Sequence, residues 1–158
     1  MRRFLASQAI FVLAMTLAGC DRIFAPEPAA SDLVGAYRLM ADSEDFLRTQ
    51  KQYGSIPVSA IELRADSSIS LRNLPDCATD GFGKSNGRFL SGEGKWRLRK
   101  AFIGYTLTLD IRDGGALSAG IYAGDWIAIR RRSTPHILEI TVGDPDSGET
   151  IRYERSSS

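Results

Sequence analysis

The chain has 158 residues, with 20 Lys and Arg against 19 Asp and Glu, a single His and two Cys. That is one domain's worth of chain, long enough to bury a core of its own. A charge balance this even argues against nucleic acid as partner, which normally demands a basic footprint, and two cysteines cannot build a disulfide-rich scaffold.

The N-terminus reads first as a targeting segment. Arg2 and Arg3 supply a positive start, and Phe4 to Leu17 supply an apolar run broken only by Ser7, Gln8 and Thr16. The run is shorter than the roughly 20 apolar residues of a membrane-spanning helix. It ends in Leu17-Ala18-Gly19-Cys20. This quartet resembles the lipobox of bacterial lipoproteins, in which small residues admit a peptidase and a thiol takes the diacylglyceryl group. The resemblance implies cleavage between Gly19 and Cys20, removal of residues 1–19 and acylation of Cys20. Up to three acyl chains, palmitate among them, would then hold the chain to a membrane of the cell envelope, facing the periplasm. Asp21 resembles the signal that retains enteric lipoproteins in the inner membrane. Cleavage removes two arginines and no acid, so 20 bases against 19 acids become 18 against 19. Residues 20–31, with Pro26 and Pro28 among alanines, read as a lipidated tether.

From residue 32 to 155 the chain reads as short strands of period two. Leu33, Gly35, Tyr37 and Leu39 share one face. Residues 42–53 suggest the one short helix, with Asp42 or Ser43 as cap and Phe46, Leu47 and Tyr53 to pack. Ile61 and Leu63 point inward against Glu62 and Arg64, and Ile69 and Leu71 follow a turn at Asp66-Ser67-Ser68. Gly94, Trp96 and Leu98 alternate with Lys95, Arg97 and Arg99; Tyr105, Leu107, Leu109 and Ile111 alternate with Thr106, Thr108 and Asp110. From Ala119 to Arg131 the parity is mixed, with a turn or bulge at Gly124-Asp125. Leu138, Ile140 and Val142 form another inner row, and Ile151 and Tyr153 mark the last strand. Residues 156–158 read as a disordered tail.

About eight strands in meander order predict an all-β domain, a small antiparallel up-and-down barrel, because closure removes exposed edges. Its residues loosely resemble lipocalin-like (calycin) barrels, which open with Gly-x-Trp and place a last-strand arginine against it. Here Gly35-Ala36-Tyr37 and Arg155 hold those places, with tyrosine for tryptophan, while Gly94-Lys95-Trp96 carries the tripeptide mid-chain. Inner rows rich in Leu, Ile, Tyr and Trp point to an interior filled by side chains rather than one holding a ligand.

The search for chemistry is short. If Cys20 is acylated, Cys77 remains without a partner in an oxidising compartment, and three roles stand open to it: a buried inert thiol, an intermolecular disulfide or a reactive site. His136 shares parity with Leu138 and reads as a rim or core residue, with no metal-ligand spacing around it; pairing with Cys77 in space stays open. Asp144-Pro145-Asp146-Ser147-Gly148-Glu149 reads as a turn rather than a calcium loop, whose later ligands are missing. Arg130-Arg131-Arg132 reads as a solvated strand end. No metal and no cofactor is expected.

Residues 75–93 are long for a connection and carry Cys77, Phe82, Lys84 and Phe89, as a plug over one mouth or a binding surface. Small lipoproteins that inhibit lysozymes are similar in size, anchoring and architecture; against their Ser-Gly loop and nearby tyrosine this chain has Ser118-Ala119-Gly120-Ile121-Tyr122. Three functions are thus open: a non-catalytic envelope lipoprotein binding another protein, foremost; a carrier of a small apolar ligand; and a cysteine-dependent enzyme.

Overall fold

The computed structural model describes residues 27–79, 83–102, 104–113, 127–130 and 135–156. The expected signal segment with Cys20, Phe82, residues 114–126 with the Ser118–Tyr122 stretch, Arg131, Arg132 and the last two residues lie outside them.

Alternation of apolar and polar residues builds eight antiparallel strands in sequence order. They are β1 (Gly35–Leu39), β2 (Ala60–Leu63), β3 (Ser68–Pro75), β4 (Phe89–Lys100), β5 (Tyr105–Asp113), β6 (Ile127–Ile129), β7 (Ile137–Thr141) and β8 (Thr150–Arg155). Each pairs with the next, and β8 returns to β1 through Tyr37↔Arg155, Arg38↔Glu154 and Leu39↔Tyr153, so the sheet closes into a barrel. Closure matters physically because no long strand edge is left to recruit another chain.

The inward rows are those expected from parity: Tyr37, Ile61, Leu63, Ile69, Leu71, Trp96, Leu107, Leu109, Leu138, Ile140, Ile151 and Tyr153 are all buried. At roughly 25 cal/mol per Å² of apolar area, rows of this size dominate the stability of a small barrel. Two tyrosine hydroxyls carried inside are bonded: that of Tyr153 meets the Ser59 hydroxyl at 2.8 Å, and that of Tyr37 donates to the Leu33 carbonyl at 2.8 Å. Burial pushes the Tyr37 phenol up to about 12, against the opposing pull of the Arg155 charge.

Two local features depart from the simple pattern. Asn73 takes a positive φ in β3, and the pairing with β4 shifts between Leu71 and Leu74. The bulge absorbs one residue and returns Leu74 to the inner face, with Asn73 Nδ2 donating to the Val58 carbonyl at 2.9 Å. The second is the helix. It spans α2 (Ala41–Thr49), preceded by a single helical turn α1 (Ala30–Leu33) that includes the last two residues of the expected tether.

The expected cap of α2 at Asp42 or Ser43 is not formed. Met40 occupies the cap position without a side-chain bond, and Asp42 and Ser43 lie inside the helix. The reason is tertiary: Ser43 Oγ accepts the Arg152 N–H at 2.9 Å and the Asp42 carboxylate pairs with the Arg152 guanidinium. Both side chains are spent lashing α2 to β8, and Leu47 is buried beneath it.

The meander defines two ends. The upper end carries α2 and the β3–β4 and β7–β8 connections. The lower end receives the chain from α1 and carries the β2–β3, β4–β5 and β6–β7 connections and the C-terminus. There Arg155 lies across the start of β1, with its Nη1 donating to the Asp32 carbonyl at 3.0 Å.

Candidate functional site

The upper mouth is organised by one buried carboxylate. Pro75 ends β3, and a 3-10 turn at Asp76–Ala78 follows, with the Thr79 N–H and Oγ1 both returning to the Asp76 carbonyl. The turn points the Asp76 side chain inward, where it is 6% exposed. Its Oδ1 accepts from the Tyr53 hydroxyl at 2.6 Å and from Ser85 Oγ at 2.8 Å; its Oδ2 accepts the Asn86 N–H at 2.9 Å. The Arg88 Nε stands 4.0 Å from Oδ2, and the Arg88 carbonyl accepts the Asp76 N–H at 3.0 Å. One side chain therefore gathers the segment before β2 and both ends of the β3–β4 connection.

Electrostatics follow from this arrangement. Burial pushes the Asp76 carboxyl up, but the bonds from Tyr53, the Asn86 and Arg88 segment and Ser85 outweigh it, and the group sits below the ordinary aspartate value. Tyr53 is driven the other way, far above an ordinary phenol, by burial and then by the proton it donates to Asp76. Charge-assisted bonds of this kind are roughly twice as strong as neutral ones.

The connection itself is a strap held against the chain before β2. Ser85 Oγ accepts the Gly87 N–H at 3.0 Å. Gly87 has φ +71°, and a Cβ there would stand 1.9 Å from the Gln52 carbonyl oxygen, so only glycine lets the strap lie this close. Between strap, α2 and the β7–β8 connection lies a cleft of about 390 Å³. Gln50, Gln52, Lys84, Asn86 and Glu149 line it with amides and charges, and Phe46 and Val142 supply apolar patches.

The residues singled out from sequence fall as follows. Lys84 is exposed on the strap and lines the cleft. Cys77 also borders it, yet it is only 3% exposed, and burial pushes its thiol up. Phe89 belongs to β4 rather than to a loop; it is half-buried and its ring tilts against Tyr53 at 5.2 Å. The connection is thus 76–88, shorter than 75–93, because strand pairing claims both ends: Pro75↔Phe89 and Leu74↔Leu90.

His136 is buried at the start of β7, at the lower end, while Cys77 follows β3 at the upper end. The two are not brought together, so a Cys77–His136 dyad does not form. In the β7–β8 connection Asp144 accepts the Asp146 N–H at 2.9 Å and Gly148 takes φ +72°: the carboxylate caps a 3-10 turn. Among the described residues no group of three or more His, Cys, Asp or Glu could hold a metal ion. Arg130, at the end of β6, pairs with the buried Glu139 at 2.6 Å.

Sequence reasoning missed Asp76, Ser85 and the second role of Tyr53. Pro75 before Asp76 signals a turn, but no local pattern tells that the carboxylate turns inward to a tyrosine from the far side of β2 and β3. Comparison with protein-family models, with curated proteins and with solved structures finds no match to this chain.

Proposed function

We propose that the chain is the precursor of an envelope lipoprotein, acylated on Cys20, whose barrel is a non-catalytic module that binds another envelope protein through its upper mouth. The observation that carries the binding role is the strap pinned by Asp76. Residues 83–88, rich in glycine and polar side chains, are tied to the buried Asp76 carboxylate by charge-assisted bonds from Ser85 and Asn86. It presents Lys84 and Asn86 beside a cleft lined with amides. Preorganised loops of this kind lower the ordering cost of association. The burial of Cys77 favours the inert-thiol role.

The calycin resemblance is supported by Arg155, which pairs in register with Tyr37 and reaches across to Asp32 beside Gly35. The carrier reading has less behind it, since large side chains crowd the inward rows and the cleft lining suits a polar partner better than an apolar ligand.

Two measurements test the reading. Mass spectrometry of the N-terminal peptide from envelope membranes should find Cys20 acylated and residues 1–19 gone; an unmodified N-terminus overturns the anchor. A photocrosslinker placed at Lys84 in the full chain should join one envelope protein, and one at Arg72, on the outer face of β3, should not. Equal labelling from both positions sinks the upper mouth as the contact.

A further inference from the structure

The lower end carries a second surface, on the β4–β5 hairpin. β4 pairs with β3 only as far as Ser68↔Lys95, with the Trp96 N–H reaching Ser67, and then runs on to Lys100. At about 3.4 Å per residue, residues 97–100 run roughly 14 Å past that neighbour, paired with Tyr105 to Thr108 of β5. On the other side of β5, β6 pairs with Thr106 and Leu107 of this stretch, so among the described residues the open edge is the one β4 turns toward β3. At the tip Phe102 is fully exposed, one of two exposed large apolar side chains among the described residues.

Its flanks are basic. Arg97, Arg99 and Lys100 are exposed, and none of the three has an acidic partner among the described residues, whereas Lys95 further up the strand is held by Asp66. Across the ribbon they face Thr108, Thr106 and Tyr105, so no carboxylate stands opposite. An exposed aromatic flanked along its strand by cations that lack acidic partners among the described residues is a composition that seats in a bilayer interface: the ring leaves water and the cations meet lipid phosphates.

Topology adds an independent argument. The chain enters the barrel at this same end, through α1. If Cys20 is acylated, the nine residues from 21 to 29 reach at most about 30 Å, which keeps the lower end beside the membrane. We propose that the β4–β5 tip docks on an anionic bilayer, with Phe102 inserted and Arg97, Arg99 and Lys100 on the headgroups. Its placement beside the membrane rests on the anchoring reading; the affinity of the tip does not. Docking would fix the barrel's orientation and turn the upper mouth away from the membrane.

The test uses residues 20–158 carrying Cys20→Ser, which contain the whole closed barrel and no acyl chain. This chain should float at low salt with phosphatidylcholine vesicles that carry phosphatidylglycerol as the minority lipid, and not with phosphatidylcholine alone. Phe102→Ser should weaken partitioning about tenfold or more. Each of Arg97→Gln, Arg99→Gln and Lys100→Gln should weaken it about fivefold. Arg38→Gln with Arg72→Gln, on the outer face of β1 and β3, should leave it unchanged. Circular dichroism confirms that each variant keeps its fold. Absence of binding, equal binding to neutral vesicles, or undiminished binding by Phe102→Ser overturns the proposal. Because this chain has no acyl group, those outcomes are separate from the mass of the processed N-terminus.

Discussion

Asp76→Asn is the sharpest test of the upper mouth, because it keeps volume and removes only charge and one acceptor. The amide oxygen can keep the Tyr53 and Ser85 hydroxyls, but its NH2 then faces the Asn86 N–H, donor against donor. Turning the amide over instead presents NH2 to two hydroxyl oxygens that already accept from Cys77 and Gly87. Either way one buried donor loses its partner and the remaining bonds lose charge assistance. Hydrogen bonds to charged groups are worth about 1.5–3 kcal/mol and an orphaned buried donor costs about 1–3, so the loss should be about 2–4 kcal/mol. For a domain of this size that lowers Tm by roughly 6–16 °C.

Thermal and urea unfolding of Asp76→Asn, Tyr53→Phe and the double variant would give the coupling, expected at about 1–3 kcal/mol for side chains in direct contact. Hydrogen exchange at Asn86 and Gly87 should quicken in Asp76→Asn before global unfolding does. The pH dependence carries a definite sign. The folded carboxyl lies below its unfolded value of about 3.9, so its stabilisation is complete above that pH and is lost as pH falls through the folded value. The wild-type chain should therefore lose stability more steeply below about pH 4 than Asp76→Asn does. A loss no larger than that of an ordinary surface substitution, or coupling near zero, would refute the reasoning.

Other outcomes follow from the same structure. Tyr153→Phe leaves the Ser59 hydroxyl buried without its partner and should cost about 1–2 kcal/mol by urea titration. Gly94→Ala places a Cβ 2.1 Å from the Asp110 carbonyl oxygen, where backbone must move, and should destabilise by at least about 2 kcal/mol. Cys77 should resist a thiol reagent at pH 8 in the native chain and react at once in denaturant; rapid native labelling would sink the inert-thiol assignment.

Parity alone determined most of the barrel. Wherever apolar residues alternate without interruption, as in Tyr105 to Ile111, a one-residue slip would expose the whole row, so the inner face is fixed locally. The bulge at Asn73 was not legible, because an inserted residue leaves the composition of β3 unchanged and only the partner strand reveals the shift. The cap of α2 misled for a related reason: Asp42 and Ser43 suit a local cap, but Arg152, at the opposite end of the sequence, offers them more. The extent of the β3–β4 connection likewise depended on strand pairing that claims Phe89.

The charge balance and the inward rows were readable in the linear chain, because the first rests on composition and the second on neighbours in sequence. What only the tertiary structure decided is where distant polar groups meet. Asp76 finds Tyr53 and Ser85, and Cys77 and His136 part to opposite ends. The hairpin carrying Phe102 lies at the end where the chain enters. Burial and charge pairing are properties of a place in the fold, and the barrel's closure alone assigns each residue its place.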